Sequence, residues 1–219
     1  MSVSKLSYQE ARKRMQPGDV IAFGGNSHIS EIIKFATFSD VSHVATVIQT
    51  KIPDDDSGRF FNQIIEATGH GGGVKIERFS DAMEAAHGDI WWLPLKKEIR
   101  ENSFDQSKFF NFLFNQAKLR KPYDLSQAIK SAIDIIDTLP FGLHGPGHNR
   151  EDFSKFFCSE LVAAGLEASG AVGNMNASEV TPIELCRWSI YEKEYYQLKG
   201  SPENKIKRYN SLAPELWNE

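Results

Sequence analysis

The chain has 219 residues, of which 41% are apolar and 25% charged, a balance typical of globular proteins. Its formal net charge of −4 argues against an electrostatic interface for nucleic acid. No apolar run reaches the length of a transmembrane segment, and the N-terminal residues lack the apolar core of a secretory signal, so we expect a cytoplasmic protein. The two cysteines, Cys158 and Cys186, are predicted to be free thiols in a reducing compartment.

The first half of the chain predicts an antiparallel β-sheet of about five strands with short helices. Ser7 is predicted to cap the first helix, because Glu10 follows three residues later in a capping-box arrangement. A second helix is expected at residues 27–37, and Ser80 is predicted to cap a third. Alternating or continuous β-branched runs predict strands at residues 19–23, 42–49, 61–68, 73–79 and 89–95.

Two of these strands are predicted to pair around a polar loop at residues 51–59. If residue 48 faces residue 61, His43 faces Glu66 across the pair, with Cβ atoms about 5 Å apart. A slip of one residue would place the two side chains on opposite faces. The register is therefore a hypothesis on which the predicted site depends.

The second half of the chain is predicted to be helical and to belong with the first half in one domain, residues 1–219. A Gly-, Pro- and His-rich stretch at residues 139–152 is interpreted as a long loop, and residues 193–219 as a charged tail. Cys186 is expected in the core. Helices are predicted at residues 104–119, 125–138 and 159–168, with another starting at Thr181, Pro182 and Glu184.

Cys158 follows two aromatic residues and directly precedes the helical run 159–168. Free backbone N–H groups and the helix dipole at such a position stabilise a thiolate, and the same N–H groups can bind an oxyanion. The alternative is a buried cysteine that serves as a small apolar residue. The heptapeptide around Cys158 leaves both interpretations open.

A nucleophilic cysteine needs a base and a group that orients this base. His43 at a strand start and Glu66 across the strand pair are suitable, because a carboxylate that accepts an imidazole N–H favours the imidazolium. Taken alone, His43 is better explained as a structural histidine and Glu66 as an exposed strand residue. Together with Cys158 they form a Cys–His–carboxylate set, which is defined by geometry rather than by chain order.

A series of short motifs runs from about residue 17 to residue 186, and their order and spacing are more specific than any single motif. In chain order they are Gly18-Asp19-Val20-Ile21, Ser27 through Ser42-His43-Val44, Ile65-Glu66-Ala67, Pro122-Tyr123-Asp124, Phe157-Cys158-Ser159-Glu160-Leu161-Val162 and Thr181-Pro182-x-Glu184-Leu185. The series resembles the permuted NlpC/P60-type papain-like hydrolases of the YiiX/YaeF kind. In these permuted proteins, as here, the histidine and acid precede the cysteine.

The resemblance implies an α+β papain-like fold with Cys158 as nucleophile, His43 as base and Glu66 as the orienting acid. It also implies a role for Tyr123 near the substrate or oxyanion, although Tyr123 is equally compatible with packing at a helix start. Two features depart from related proteins. The 139–152 loop is long for the family, and the cysteine motif differs from the Asn-Cys-x-His type of the lecithin–retinol acyltransferase-like branch.

The function expected from the sequence is a cysteine hydrolase that cleaves a peptide, another amide or a lipid ester, with no metal or organic cofactor. His144 and His148 lie four residues apart without a third ligand nearby, so a zinc site is not expected. Three alternatives stay open: an acyltransferase or lipid esterase that uses the same triad, a non-catalytic binding module, and a thiol redox sensor.

Overall fold

A computed structural model describes residues 1–24, 40–54, 59–68, 73–119 and 158–217. Within these residues a seven-stranded sheet has the order β1-β7-β6-β2-β3-β4-β5. All neighbouring strands are antiparallel except β1 and β7, which are parallel. The strands are β1 (Ser2–Lys5), β2 (Val20–Gly24), β3 (His43–Asp54), β4 (Arg59–Thr68), β5 (Gly73–Arg78), β6 (Asp89–Leu93) and β7 (Glu194–Lys199).

Short helices connect and cover the strands. The predicted helices at residues 27–37 and 125–138 lie outside the described residues. The described helices are α1 (Tyr8–Ala11), α2 (Phe79–Ala85), α3 (Lys97–Asn102), α4 (Gln106–Lys118), α5 (Cys158–Ala168) and α6 (Pro182–Arg187), with 3₁₀ turns at Ala177–Glu179 and Pro214–Trp217.

The sheet is buried on both faces, and strand β2 shows why. Val20 and Ala22 point into the larger core with α4, α5 and α6, whereas Ile21 and Phe23 point into a second core with α1 and α2. A strand that is apolar on both faces reads as a continuous hydrophobic run, as residues 20–23 do. The α+β class predicted from the sequence is thereby confirmed, and the single-domain assignment stays a prediction.

The predicted number of strands is wrong, because the sheet has seven strands rather than about five. Both additional strands come from the ends of the chain: β1 pairs in parallel with β7, and β7 also pairs with β6. The predicted charged tail at residues 193–219 therefore contributes an inner strand of the sheet. β1 has only four residues, and its partner β7 lies almost the whole chain away in sequence. No local sequence pattern therefore predicts this strand.

Predicted helix starts were right where a capping box was present. The Ser7 side chain accepts from Glu10 N–H, and Thr181 does the same for Glu184. The third prediction was wrong, because α2 begins one residue before Ser80, whose hydroxyl donates to the Asp81 carboxylate at 3.0 Å instead. Capping predictions thus succeeded where two side chains specify the helix start.

Candidate active site

His43 and Glu66 are in contact at one end of the β3–β4 pair. His43 opens β3, and its Nε2 lies 2.6 Å from Glu66 Oε2. The His43 side chain is 24% exposed and that of Glu66 is 8% exposed, so the pair is largely withdrawn from solvent while the ring keeps an open side. On the neighbouring strand β2, Phe23 is paired with His43, and the two rings are in contact with their centroids 5.5 Å apart.

The register assumed for this strand pair is wrong, although the contact survives. Phe61 pairs with Ile52 rather than with Ile48, and irregularities in β3 account for part of the difference. Near the site the slip is two residues, so that Glu66 lies diagonally across from His43 instead of directly opposite. Side chains alternate with a period of two, and a slip of two therefore keeps both residues on the same face within reach.

Cys158 is the first residue of α5, as predicted, and it is buried. Its thiol acts on the His43 imidazole through its charge and through a side-chain hydrogen bond. Because Glu66 occupies Nε2 of the ring, Nδ1 is the nitrogen left for the thiol. The structure thus brings together Cys158, His43 and Glu66, with the histidine between the other two.

The charges of this trio reinforce one another. Burial lowers the pKa of His43, but the thiolate and Glu66 outweigh burial and raise the pKa of His43 to about 10. Burial raises the pKa of Glu66, and the hydrogen bond and charge of His43 overcome it and hold that pKa well below its usual range. The raised pKa of His43 and the lowered pKa of Glu66 both favour an imidazolium beside an ionised carboxylate.

The second cysteine is separate from this chemistry. Cys186 lies in α6 and is 0% exposed, and burial raises the pKa of its thiol. Both cysteines are free, in agreement with the predicted absence of a disulfide. Cys186 is therefore a core residue, as expected from its position.

Two charged residues at the site were not singled out from the sequence. Lys75 Nζ lies 3.0 Å from Glu66 Oε1 and 2.7 Å from Glu77 Oε1. Lys75 and Glu77 occupy alternate positions of β5, and Lys75 stands directly opposite Glu66. The alternation of residues 73–79 predicted a strand with one polar face, but it did not indicate that this face contacts Glu66.

Several residues discussed in the sequence analysis lie outside the described residues. They include the substrate or oxyanion candidate Tyr123, the 139–152 loop with His144 and His148, and the aromatic residues that precede Cys158. Among the described residues, no group of three or more His, Cys, Asp or Glu side chains is arranged to hold a metal ion. In the same part of the chain, no helix has the length and apolarity needed to cross a membrane.

A cleft of about 1230 Å³ opens elsewhere on the molecule, and none of the three candidate site residues lines it. Its walls include Asp19, Trp92 and Tyr196, near the start of β2, whereas His43 lies beside the end of β2. We therefore base the site on the contacts among side chains and not on the size of the cleft. The segments that flank Cys158 and Glu66 in sequence, residues 120–157 and 69–72, lie outside the described residues.

Comparisons with known proteins include a structural likeness. No family model and no curated protein matches the chain. Among solved structures, the chain is similar to the crystal structure of a metalloprotein, YiiX from Escherichia coli O157:H7, with 20% sequence identity and a TM-score of 0.45. The match covers 70% of this chain and 66% of that chain, just under two thirds of its length. A likeness at this level carries no argument about chemistry, which rests on the site itself.

Proposed function

We propose that the protein is a cysteine hydrolase of the papain-like, permuted NlpC/P60 type that cleaves an amide or ester bond through Cys158. The observation that carries this proposal is the position of the His43 imidazole between a carboxylate, 2.6 Å away, and the Cys158 thiol. A carboxylate on one ring nitrogen and a thiol on the other is the arrangement that activates a cysteine nucleophile.

In the proposed acylation step, the Cys158 thiolate attacks the substrate carbonyl carbon and forms a tetrahedral intermediate. Free backbone N–H groups in the first turn of α5 stabilise the negative charge on the carbonyl oxygen. The His43 imidazolium then donates its proton to the leaving amine or alcohol, and a thioester with Cys158 remains. The proposed contribution of Tyr123 to the oxyanion site stays a prediction.

The second step, hydrolysis of the thioester, needs His43 as a base. The charges of the site favour this change from acid to base. The thiolate charge is the largest influence that raises the His43 pKa. Acylation removes this charge, so the His43 pKa falls once the thioester has formed. The neutral ring takes a proton from water, the hydroxide attacks the thioester, and the acid product leaves as the thiolate re-forms. Glu66 orients the ring in both steps.

The test is the rate at which iodoacetamide alkylates each cysteine between about pH 5 and pH 9, followed by mass spectrometry. An ordinary thiol has a pKa near 8.5 and reacts slowly at about pH 6. We expect Cys158 to react at about pH 6 at least roughly tenfold faster in the wild type than in His43→Ala, because the imidazolium that stabilises the thiolate is lost. Cys158 and Cys186 are 1% and 0% exposed, so static exposure does not distinguish them, and Cys186 is the internal control.

Equal labelling of Cys158 in the wild type and in His43→Ala would contradict the activated pair and favour a binding module on this fold. Where the pair is activated, incubation with p-nitrophenyl acetate should acetylate Cys158 in the wild type but not in His43→Ala. Addition of a primary amine or a long-chain alcohol then separates the remaining alternatives: free acetate indicates a hydrolase, and an acetylated acceptor indicates an acyltransferase.

A further inference from the structure

Glu66 uses its two carboxylate oxygens for two different partners. Oε2 faces His43 at 2.6 Å, and Oε1 faces the Lys75 ammonium at 3.0 Å. The Glu66 side chain is 8% exposed and that of Lys75 is 43% exposed, so the carboxylate is buried while the ammonium reaches solvent. The state of Lys75 therefore bears directly on the carboxylate that orients His43.

Lys75 is in turn shared with a second carboxylate. Its Nζ lies 2.7 Å from Glu77 Oε1, so that one ammonium contacts both carboxylates. The β4–β5 register explains the arrangement, because Lys75 stands directly opposite Glu66 and Glu77 follows two positions later on the same face. The ammonium thus lies between two carboxylates that would otherwise face each other.

Two adjacent carboxylates without a cation tend to share one proton, because like charges at this distance cannot both ionise at low cost. The pKa values of the two carboxyls differ: the pKa of Glu66 is held low, whereas burial and the charge of the neighbouring Glu66 raise the pKa of Glu77. A proton shared between the two would reduce the negative charge on the oxygen that faces His43.

The charged groups around this cluster come from every element packed on it. His43 contributes from β3, Lys75 and Glu77 from β5, and Cys158 from α5. The charged side chains of the helices on either face, α2 and α4, are solvent-exposed and screened; they are Asp81, Glu84, Lys108 and Lys118.

We propose that Lys75 is a positioning residue of the candidate active site, which keeps Glu66 fully ionised and directed at His43 by preventing Glu66 and Glu77 from sharing a proton. Glu77 holds the ammonium in place from its other side. This inference deepens the proposed function and rests on it for its catalytic meaning, but the arrangement of charges has consequences that are measurable without any substrate.

The experiment is an NMR titration of the His43 ring protons, assigned with a His43→Gln variant, in the full chain and four substituted chains. In Lys75→Met we expect the pKa of His43 to fall by about 1, a tenfold loss of proton affinity, because Glu66 now shares its charge with a proton. In Lys75→Arg the cation is retained, and the His43 pKa should stay at its wild-type value. Lys75→Gln, which lacks the charge but keeps a hydrogen-bond donor, should behave as Lys75→Met does and replaces it if that variant does not fold.

The decisive control is the double variant Lys75→Met/Glu77→Gln. Without the competing carboxylate, Glu66 has no partner with which to share a proton, and the His43 pKa should recover. An unchanged His43 pKa in Lys75→Met and Lys75→Gln overturns the inference, and so does a fall that Glu77→Gln fails to reverse, since lost packing would not be rescued in this way. Alkylation of Cys158 tests the proposed function separately, so each proposal can fail without the other.

Discussion

Two carboxylates lie at opposite ends of the central strands, and they are used in opposite ways. Asp19 immediately precedes β2, and Glu66 lies near the other end of this part of the sheet, where β3 begins. Both are at least nine-tenths buried and both face a cation. The nature of the partners decides what each carboxylate does.

Asp19 is saturated by partners whose protons do not move. Its Oδ2 accepts from Gln16 N–H and from Trp92 Nε1–H, each at 2.9 Å. Its Oδ1 accepts from Leu95 N–H at 3.0 Å and from the Arg100 guanidinium. Arginine does not deprotonate in proteins, so none of these donors titrates, and the cluster joins three segments of the chain. It is a structural site, and it was not recognised from the sequence.

Glu66, by contrast, faces an imidazole, which can lose its proton. Its second oxygen faces Lys75, and the thiol of Cys158 lies on the far side of the His43 ring. The cluster therefore couples a thiol, an imidazole and two carboxylates at a strand end where the ring is 24% exposed. Burial of a carboxylate alone thus does not indicate an active site, whereas burial beside a titratable imidazole makes the site a candidate.

The largest expected effect is a loss of stability on removal of the Asp19 carboxylate. Asp19→Ala leaves the Arg100 guanidinium buried without its counter-charge, and we expect a loss of about 3–5 kcal/mol in the free energy of unfolding. Urea denaturation followed by fluorescence measures this loss. Glu101→Ala, which breaks an exposed ion pair with Lys97, is the matched control and should change stability by about 0.5 kcal/mol or less. A similar small change for both variants would contradict the structural role of Asp19.

The next largest expected effect is on the reactivity of Cys158 when the charge of Glu66 is removed. Glu66→Gln keeps the shape of the side chain but removes the charge that favours the His43 imidazolium. We expect alkylation of Cys158 at about pH 6 to slow by roughly tenfold to a hundredfold, because less of the thiol is held as thiolate. Global stability should change less than in Asp19→Ala. Retained rapid labelling together with a large loss of stability would instead make Glu66 a second structural carboxylate.

The smallest effect is a dependence of stability on pH. The His43 pKa is about 10 in the folded protein, while an unfolded histidine has a pKa of about 6.5. The folded state therefore binds the proton more tightly, and this contribution is complete below about pH 6.5 and is lost as pH rises toward 10. The full difference in pKa sets an upper limit of about 5 kcal/mol. Because solvent reaches the ring, which is 24% exposed, we expect the stability advantage of the wild type over His43→Gln to shrink by about 1–2 kcal/mol across this range.

Denaturation of both proteins at several pH values measures this difference, and titration of other groups cancels between them. His87→Gln, at an exposed histidine, provides the control for the loss of an imidazole as such. An advantage that is constant with pH, or that grows toward pH 10, would show that the His43 proton is not held by the folded site.

The contact between His43 and Glu66 shows which part of the site could be predicted from sequence patterns. Alternation along the two strands predicted which residues share a face, and the face was right even though the register was wrong by two residues. Next to the loop the strand pair is four residues out of the assumed register, and irregularities in β3 that no residue pattern predicted reduce this error to two residues near the site. A period of two tolerates an even error, so the pair could be predicted while its exact alignment could not.

Local chemistry was determined by the sequence itself. The capping boxes at Ser7 and Thr181 and the helix start at Cys158 follow from residues within a few positions of one another. Such contacts form within a single turn, and the tertiary structure does not need to supply a partner.

Only the tertiary structure decided which distant groups meet. It paired β1 with β7, joined Asp19 to Arg100, and set Lys75 between Glu66 and Glu77. These contacts depend on strand order, register and helix placement, which are selected by burial of the whole core rather than by any short segment. The residue types of the candidate site could therefore be predicted from the sequence, whereas the arrangement of charges around them could not.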